Sequence, residues 1–176
     1  PEGNKPFLER RPLGEGEVER LWQSAPPHYE APVALLNDDA TRFLTSRESL
    51  EEAPNYFIRD LSQPDSPPDP LTHFPHPTPQ LKGVQKELMR YQRADGLPLT
   101  GTLYLPASYD AERDGPLPTL LWAYPQEFKS ASAAGQVRNS PHRFVRVGWY
   151  SPLLWLMRGW AVLNDPAMPI VGEGDQ

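Results

Sequence analysis

A chain of 176 residues is long enough for one domain or for parts of two, and its formal net charge of −6 excludes the basic face that nucleic-acid binding requires. The absence of cysteine removes disulfides and every thiolate-based metal, redox or nucleophile scheme. No apolar run approaches the ~20 residues that cross a bilayer, so no membrane partner is expected.

The 23 prolines far exceed the usual ~5%. Five Trp, six Phe and seven Tyr are too many for a disordered tail, so the chain reads as folded segments joined by proline-rich connectors. It opens on Pro1 rather than Met and closes on Gly174-Asp175-Gln176, which reads as a piece of a longer protein. Any targeting leader would then lie outside it, and the compartment stays open between cytoplasm, periplasm and plastid.

From Gly16 to about Phe74 the pattern is one of short strands and turns. "EVERLWQS" (17–24) offers Val18 and Leu21 or Trp22 as inward residues. "APVALLN" (31–37) is an apolar run that stops at Asn37-Asp38-Asp39-Ala40, a hairpin-loop signal. In "TRFLTSRES" (41–49), Phe43 and Thr45 alternate with Arg42 and Leu44 on opposite faces. "PNYFIRDL" (54–61) and "LTHFP" (71–75) follow as further strands, and the whole predicts antiparallel β structure, a sandwich or a propeller. Residues 62–80 are crowded with proline, which removes ladder donors, so this stretch is an edge or connector.

A second regime begins near Lys86. "KELMRYQRADGLPLTGTLYLP" (86–106) predicts two strands around the turn Ala94-Asp95-Gly96. "LPTLLWAYP" (117–125) predicts a strand buried on both faces. "SPLLWLMRGW" (151–160) predicts a helix with Ser151 as N-cap, Pro152 at its first position and Gly159 as its stop. "WAVLNDPAMP" (160–169) predicts another buried strand. Strand, long loop, helix and strand form a crossover unit of an α/β sheet.

Chemistry-bearing residues are sparse. His73 and His76 stand three apart, but Pro75 breaks any helix that would align them, and zinc wants roughly three or four converging ligands. No metal and no cofactor is expected. No serine stands in the Gly-x-Ser-x-Gly frame of a nucleophile elbow, and no phosphate- or dinucleotide-binding loop is present. The adjacent acids Asp38-Asp39 and Glu51-Glu52 diverge and suit solvated turns. Tyr124 stands at the carboxyl end of the 117–123 apolar stretch, where ligands gather in α/β sheets. Its phenol fits two roles, capping the core or donating a hydrogen bond to a developing oxyanion.

The stretches "DGLPLTGTLYLPASYD" (95–110), "DGPLPTLLWAYPQEFKS" (114–130), "AAGQVRNSPHRF" (133–144) and "SPLLWLMRGWAVLNDPAMPIVGEGD" (151–175) resemble the prolyl oligopeptidase family of serine peptidases. They are most similar to its glutamyl endopeptidase branch. The resemblance implies a division into 1–80, the C-terminal end of a β-propeller with its proline-rich connector, and 81–176, the N-terminal part of an α/β-hydrolase domain with an incomplete mixed sheet. It places Tyr124 of "WAYPQEF" on the family's oxyanion-hole tyrosine. It also implies that the catalytic Ser, Asp and His follow the "GEGD" segment, beyond this chain, and that His142 is not the catalytic histidine. The chain alone is then expected to be inactive, its partners in the intact protein being a peptide substrate and the missing C-terminal hydrolase segment. Cleavage after Glu calls for a cation near the substrate carboxylate. Arg138 is the first candidate, with Arg143 and Arg146 behind it, and the other reading of each is a surface or domain-interface arginine. The alternatives are an α/β-hydrolase esterase fragment and a non-catalytic interaction module.

Overall fold

A computed structural model describes residues 3–135 and 140–172 of the chain. Two compact units emerge, the first from residues 2–77 together with His142–Phe144, the second from Thr78–Pro141 together with residues 145–176. Among the described residues the strands form four separate sheets, and none closes into a propeller.

In the first unit β1 (Phe7–Arg10) and β2 (Glu19–Gln23) form an antiparallel pair. A four-stranded meander follows, β3 (Tyr29–Leu35), β4 (Arg42–Glu48), β5 (Asn55–Asp60) and β6 (Asp69–Pro70), with every neighbour sequential and antiparallel. The β3–β4 connection is the hairpin loop that Asn37-Asp38-Asp39-Ala40 predicts. The Arg42 N–H donates to Asn37 Oδ1 at 2.9 Å, the Thr41 hydroxyl donates to Asp39 Oδ1 at 2.8 Å, and Ala40 takes a left-handed φ of 58°.

Alternation along β4 works as the pattern requires. Phe43 and Thr45 are fully enclosed, while Arg42 and Leu44 on the other face are not. Trp22 of β2 meets Phe43 edge-on at 5.6 Å between ring centroids. Beside them lies a buried carboxylate, Glu30. Arg59 donates to it twice, Nε to Oε1 and Nη2 to Oε2, each at 2.7 Å, and the Thr45 hydroxyl donates to Oε1 at 2.7 Å. One side chain therefore ties β3 to both β4 and β5. A second buried carboxylate, Glu48, accepts from Arg143 Nε at 3.0 Å, and the Arg143 guanidinium lies 4.8 Å from the centre of the Tyr29 ring.

Two expectations need correction here. The strand placed at 71–75 lies instead at Asp69–Pro70, as the sheet's edge. Beyond it the Leu71 N–H still donates to the Tyr56 carbonyl at 2.8 Å, and side chains add to the pairing, the Tyr56 N–H donating to the Thr72 hydroxyl and Asn55 Oδ1 accepting from the Phe74 N–H. The apolar run at 31–37 also ends outside the core, with Val33, Leu35 and Leu36 about half exposed.

In the second unit β7 (Gln85–Gln92) and β8 (Pro98–Leu105) form the expected hairpin around Ala94-Asp95-Gly96. A short helix, α1 (Ala111–Asp114), leads to β9 (Thr119–Trp122). Next come β10 (Gln126–Phe128) and α2 (Ala131–Ala134), then β11 (Ala161–Asn164) and β12 (Pro169–Val171). The main sheet is mixed and ordered β7-β8-β11-β9, with β11 antiparallel to β8 and parallel to β9. Ala161 and Val162 of β11 are buried at its centre.

Here too the expectations shift. The 117–125 strand is shorter, ends at Trp122 and runs along the sheet's edge, so Leu121 and Trp122 are 58% and 51% exposed rather than buried on both faces. The helix at 151–160 is 3-10 over Pro152–Arg158. Its caps are as predicted, with Ser151 Oγ accepting from the Leu153 N–H and Gly159 in the left-handed region that favours glycine. Its pitch follows from the buried pair Leu153 and Leu156, whose spacing of three residues falls on one face at three residues per turn. The 160–169 strand breaks after Asn164, and its last residues join a separate pair, β12 parallel to β10, which the sequence reading does not include.

Candidate functional site

Tyr124 sits in the three-residue bridge Ala123-Tyr124-Pro125 between β9 and β10. β9 and β11 run parallel with Trp122 opposite Asn164, so their carboxyl ends share one edge of the sheet. The Tyr124 side chain is 79% exposed there and does not cap the core. Among the described residues its hydroxyl makes no hydrogen bond. The phenol is thus a free donor at the strand end where α/β sheets receive ligands.

Both ends of the bridge are fastened to one stretch, residues 165–171. Before it, the Trp122 carbonyl accepts the Asp165 N–H at 2.8 Å. After it, β10 pairs in parallel with β12, Gln126 opposite Pro169 and Phe128 opposite Val171. Asp165 turns the chain with a φ of 50°. Pro166 then passes so close to β8 that a Cβ on Gly101 would sit 3.0 Å from its Cα, so this crossing depends on glycine. Beneath the bridge Leu97, Leu99 and Ala134 form a buried cluster, with Phe128, Ala167 and Val171 packed against it.

The β7–β8 hairpin holds this stretch from the other side. The Ala167 N–H donates to the Thr100 carbonyl at 2.9 Å. The Tyr91 hydroxyl donates to the Ala167 carbonyl at 2.8 Å, and Arg93 Nη1 donates to the Pro169 carbonyl at 2.7 Å. Arg93 is itself fixed by a bidentate pair with Asp95, at 2.9 and 2.7 Å. That guanidinium brings the Asp95 carboxyl from its ordinary 3.8 to about 2. Desolvation, and secondarily the Asp165 carboxylate, raise the Tyr91 phenol above its ordinary range, so it stays a protonated donor. The sequence reading passes over Tyr91 and Arg93. Their only signal is a pair of long polar side chains two residues apart beside a turn.

Arg138 lies outside the described residues. Of the other two arginines, Arg143 is engaged with Glu48 and Tyr29 in the first unit, and Arg146 is exposed. His76 stacks edge-on against Phe144 at 4.7 Å, and His28 Nε2 lies 3.2 Å from Glu52. No group of three or more metal-ligating side chains occurs among the described residues.

No profile of a known protein family matches the chain. Individual relatives do. The chain is 50% identical over its whole length to a probable chloroplastic glutamyl endopeptidase of Oryza sativa subsp. japonica, and 49% identical to one of Arabidopsis thaliana. It spans about a fifth of each, 20% and 19% of their lengths. Among solved structures it resembles the AtxE2 isopeptidase in its apo form, with a TM-score of 0.55 and 20% identity over 92% of this chain and 22% of that one. A variant of that isopeptidase with Astexin3-dC4 bound gives a TM-score of 0.56 and 18% identity over 97% of this chain and 22% of that one, a likeness of fold. The similarity to glutamyl endopeptidases therefore extends along the entire chain.

Proposed function

We propose that this chain is a segment of a serine endopeptidase of the prolyl oligopeptidase family that cleaves peptides after Glu. The observation carrying the proposal is identity of about 50% to glutamyl endopeptidases over alignments that cover the whole chain, both units included. The first unit, an antiparallel meander, is assigned to the end of a β-propeller. The second, a mixed sheet with a parallel crossover from β9 to β11, is assigned to the opening of an α/β-hydrolase domain, with the boundary near residue 80.

In this reading the substrate carbonyl lies outside the carboxyl end of β9. Attack by a serine makes its oxygen an anion, and the Tyr124 hydroxyl donates to that oxygen as the charge develops. An exposed phenol with no hydrogen-bond partner among the described residues supports this assignment, because no such bond must be broken before it donates. Arg138 takes the substrate glutamate carboxylate, for which a guanidinium fork is suited. Nucleophile, base and orienting acid are assigned to sequence that follows this chain, since no serine here occupies an elbow frame.

The test is Tyr124→Phe in the full-length enzyme. Loss of one oxyanion donor lowers kcat by about 10²–10³, roughly 3–4 kcal/mol. KM changes little, because the bond strengthens only in the transition state. Tm is expected to be unchanged, because among the described residues the hydroxyl makes no hydrogen bond. A full-rate variant overturns the assignment. The 176-residue chain by itself is expected to resist labelling by a fluorophosphonate probe, and labelling that heat denaturation abolishes overturns the placement of the nucleophile.

A further inference from the structure

We propose that Tyr91 and Arg93 are positioning residues for the oxyanion tyrosine, acting through residues 165–171; the inference rests on the assignment of Tyr124 above. Among the described residues the Tyr124 hydroxyl has no hydrogen bond to fix it, and the residue is 79% exposed. Its place is set by the two ends of a three-residue bridge, the Trp122 carbonyl on the Asp165 N–H and the β10–β12 pair. Both anchors belong to one stretch of chain, so whatever fixes that stretch fixes the tyrosine.

β12 is only three residues long and has a single strand partner, β10, among the described residues. A parallel pair so short has few ladder bonds to resist sliding. Ala167 and Pro169 are two apart, and in extended chain their carbonyls point to the same side. Tyr91 and Arg93 cap those two carbonyls, at 2.8 and 2.7 Å. The hairpin side chains thus act where a neighbouring strand would otherwise sit. Proline at 169 makes the arginine more important, since Pro169 has no N–H and its carbonyl is its only backbone anchor. Arg93 is suited to this because its bidentate pair with Asp95 orients the guanidinium before it reaches Pro169.

A purely structural role would appear in the melting temperature alone. A positioning role appears in kcat, and only while Tyr124 has its hydroxyl. The experiment is a double-mutant cycle in the full-length enzyme, combining Arg93→Met, and separately Tyr91→Phe, with Tyr124→Phe. Each single hairpin variant is expected to lower kcat roughly 10-fold with KM nearly unchanged, since small misplacements of a catalytic group carry large costs in rate. In the Tyr124→Phe background the same change is expected to have no further effect. Arg93→Lys, which keeps a donor for the Pro169 carbonyl, should recover part of the rate. Equal losses in both backgrounds overturn the proposal, as do full rates for both hairpin variants when Tyr124→Phe is impaired. A full-rate Tyr124→Phe enzyme instead overturns the oxyanion assignment itself, and the inference with it. Tyr91→Phe deletes only a hydroxyl, so it reports even if Arg93→Met is too unstable to assay.

Discussion

In the first unit the enclosed side chains are largely polar, Ser24, Glu30, Thr45, Glu48 and Ser49 beside Phe43, Ala53 and Phe144. In the second they are largely apolar, among them Leu97, Leu99, Leu153, Leu156 and Val162. The two answer to different physics. Burying Glu30 costs desolvation that its bonds to Arg59 and Thr45 offset, so the pair adds little net stability while the loss of either partner is severe. What the arrangement gains is geometry, because one carboxylate fixes three strands in register. The apolar unit gains stability in proportion to area and volume, and it tolerates changes of charge better than loss of a methyl group.

Breaking this contrast begins with Glu30→Leu, which strands the Arg59 guanidinium. We expect a loss of about 4 kcal/mol, seen as lost amide protection in β3, β4 and β5. Adding Arg59→Met to that variant should recover most of the loss; failure to recover it would mean that the carboxylate is needed for packing rather than for charge. In the second unit, Leu156→Ala removes a side chain that is 3% exposed. The expected cost is about 3 kcal/mol, with protection lost first in β11, and the variant should be insensitive to salt. The smallest effect belongs to the exposed pair of Arg93 and Asp95. The Asp95 carboxyl lies lower in the folded state, about 2, than its ordinary 3.8, so its contribution is fully present above about pH 3.8 and lost as the pH falls through about 2. Asp95→Asn should therefore lower the urea midpoint slightly at pH 6, with the difference from the unaltered protein shrinking as the pH falls and vanishing only below about pH 2. A large shift at pH 6 would give this surface pair the weight reserved here for Glu30.

Much of the frame was legible in the residues. Ala94-Asp95-Gly96 locates the β7–β8 hairpin, Asn37 to Ala40 locate the β3–β4 turn, and Ser151 and Gly159 bracket the turn between them. Caps mark where a helix starts and stops, but not how tightly it winds, so the 3-10 pitch depended on the burial of Leu153 and Leu156 together. The β10–β12 pair was not legible because three-residue parallel strands are too short to show a period. The polar core was hidden for another reason. Glu30 and Glu48 look like surface charges until strand register brings Arg59 to the first and the distant stretch His142–Phe144 brings Arg143 to the second. At the candidate site the position of Tyr124 at a strand end was readable. The hairpin side chains that hold its neighbourhood were not, because their partners are backbone carbonyls 76 residues away.

The edge strand β9 has one more consequence. Among the described residues it pairs on one side only, beside half-exposed Leu121 and Trp122, and from Thr119 to Tyr124 there is no charged residue. Six uncharged, mostly apolar residues, four of them already in the strand, match the length that nucleates cross-β stacking. Proline closes this window on both sides, at Pro118 and Pro125. Neither can donate to a foreign strand, so an intermolecular ladder begun on β9 cannot lengthen past six residues in either direction. The two prolines act as gatekeepers, letting the chain expose a sticky strand next to Tyr124 without making that strand a seed for fibrils.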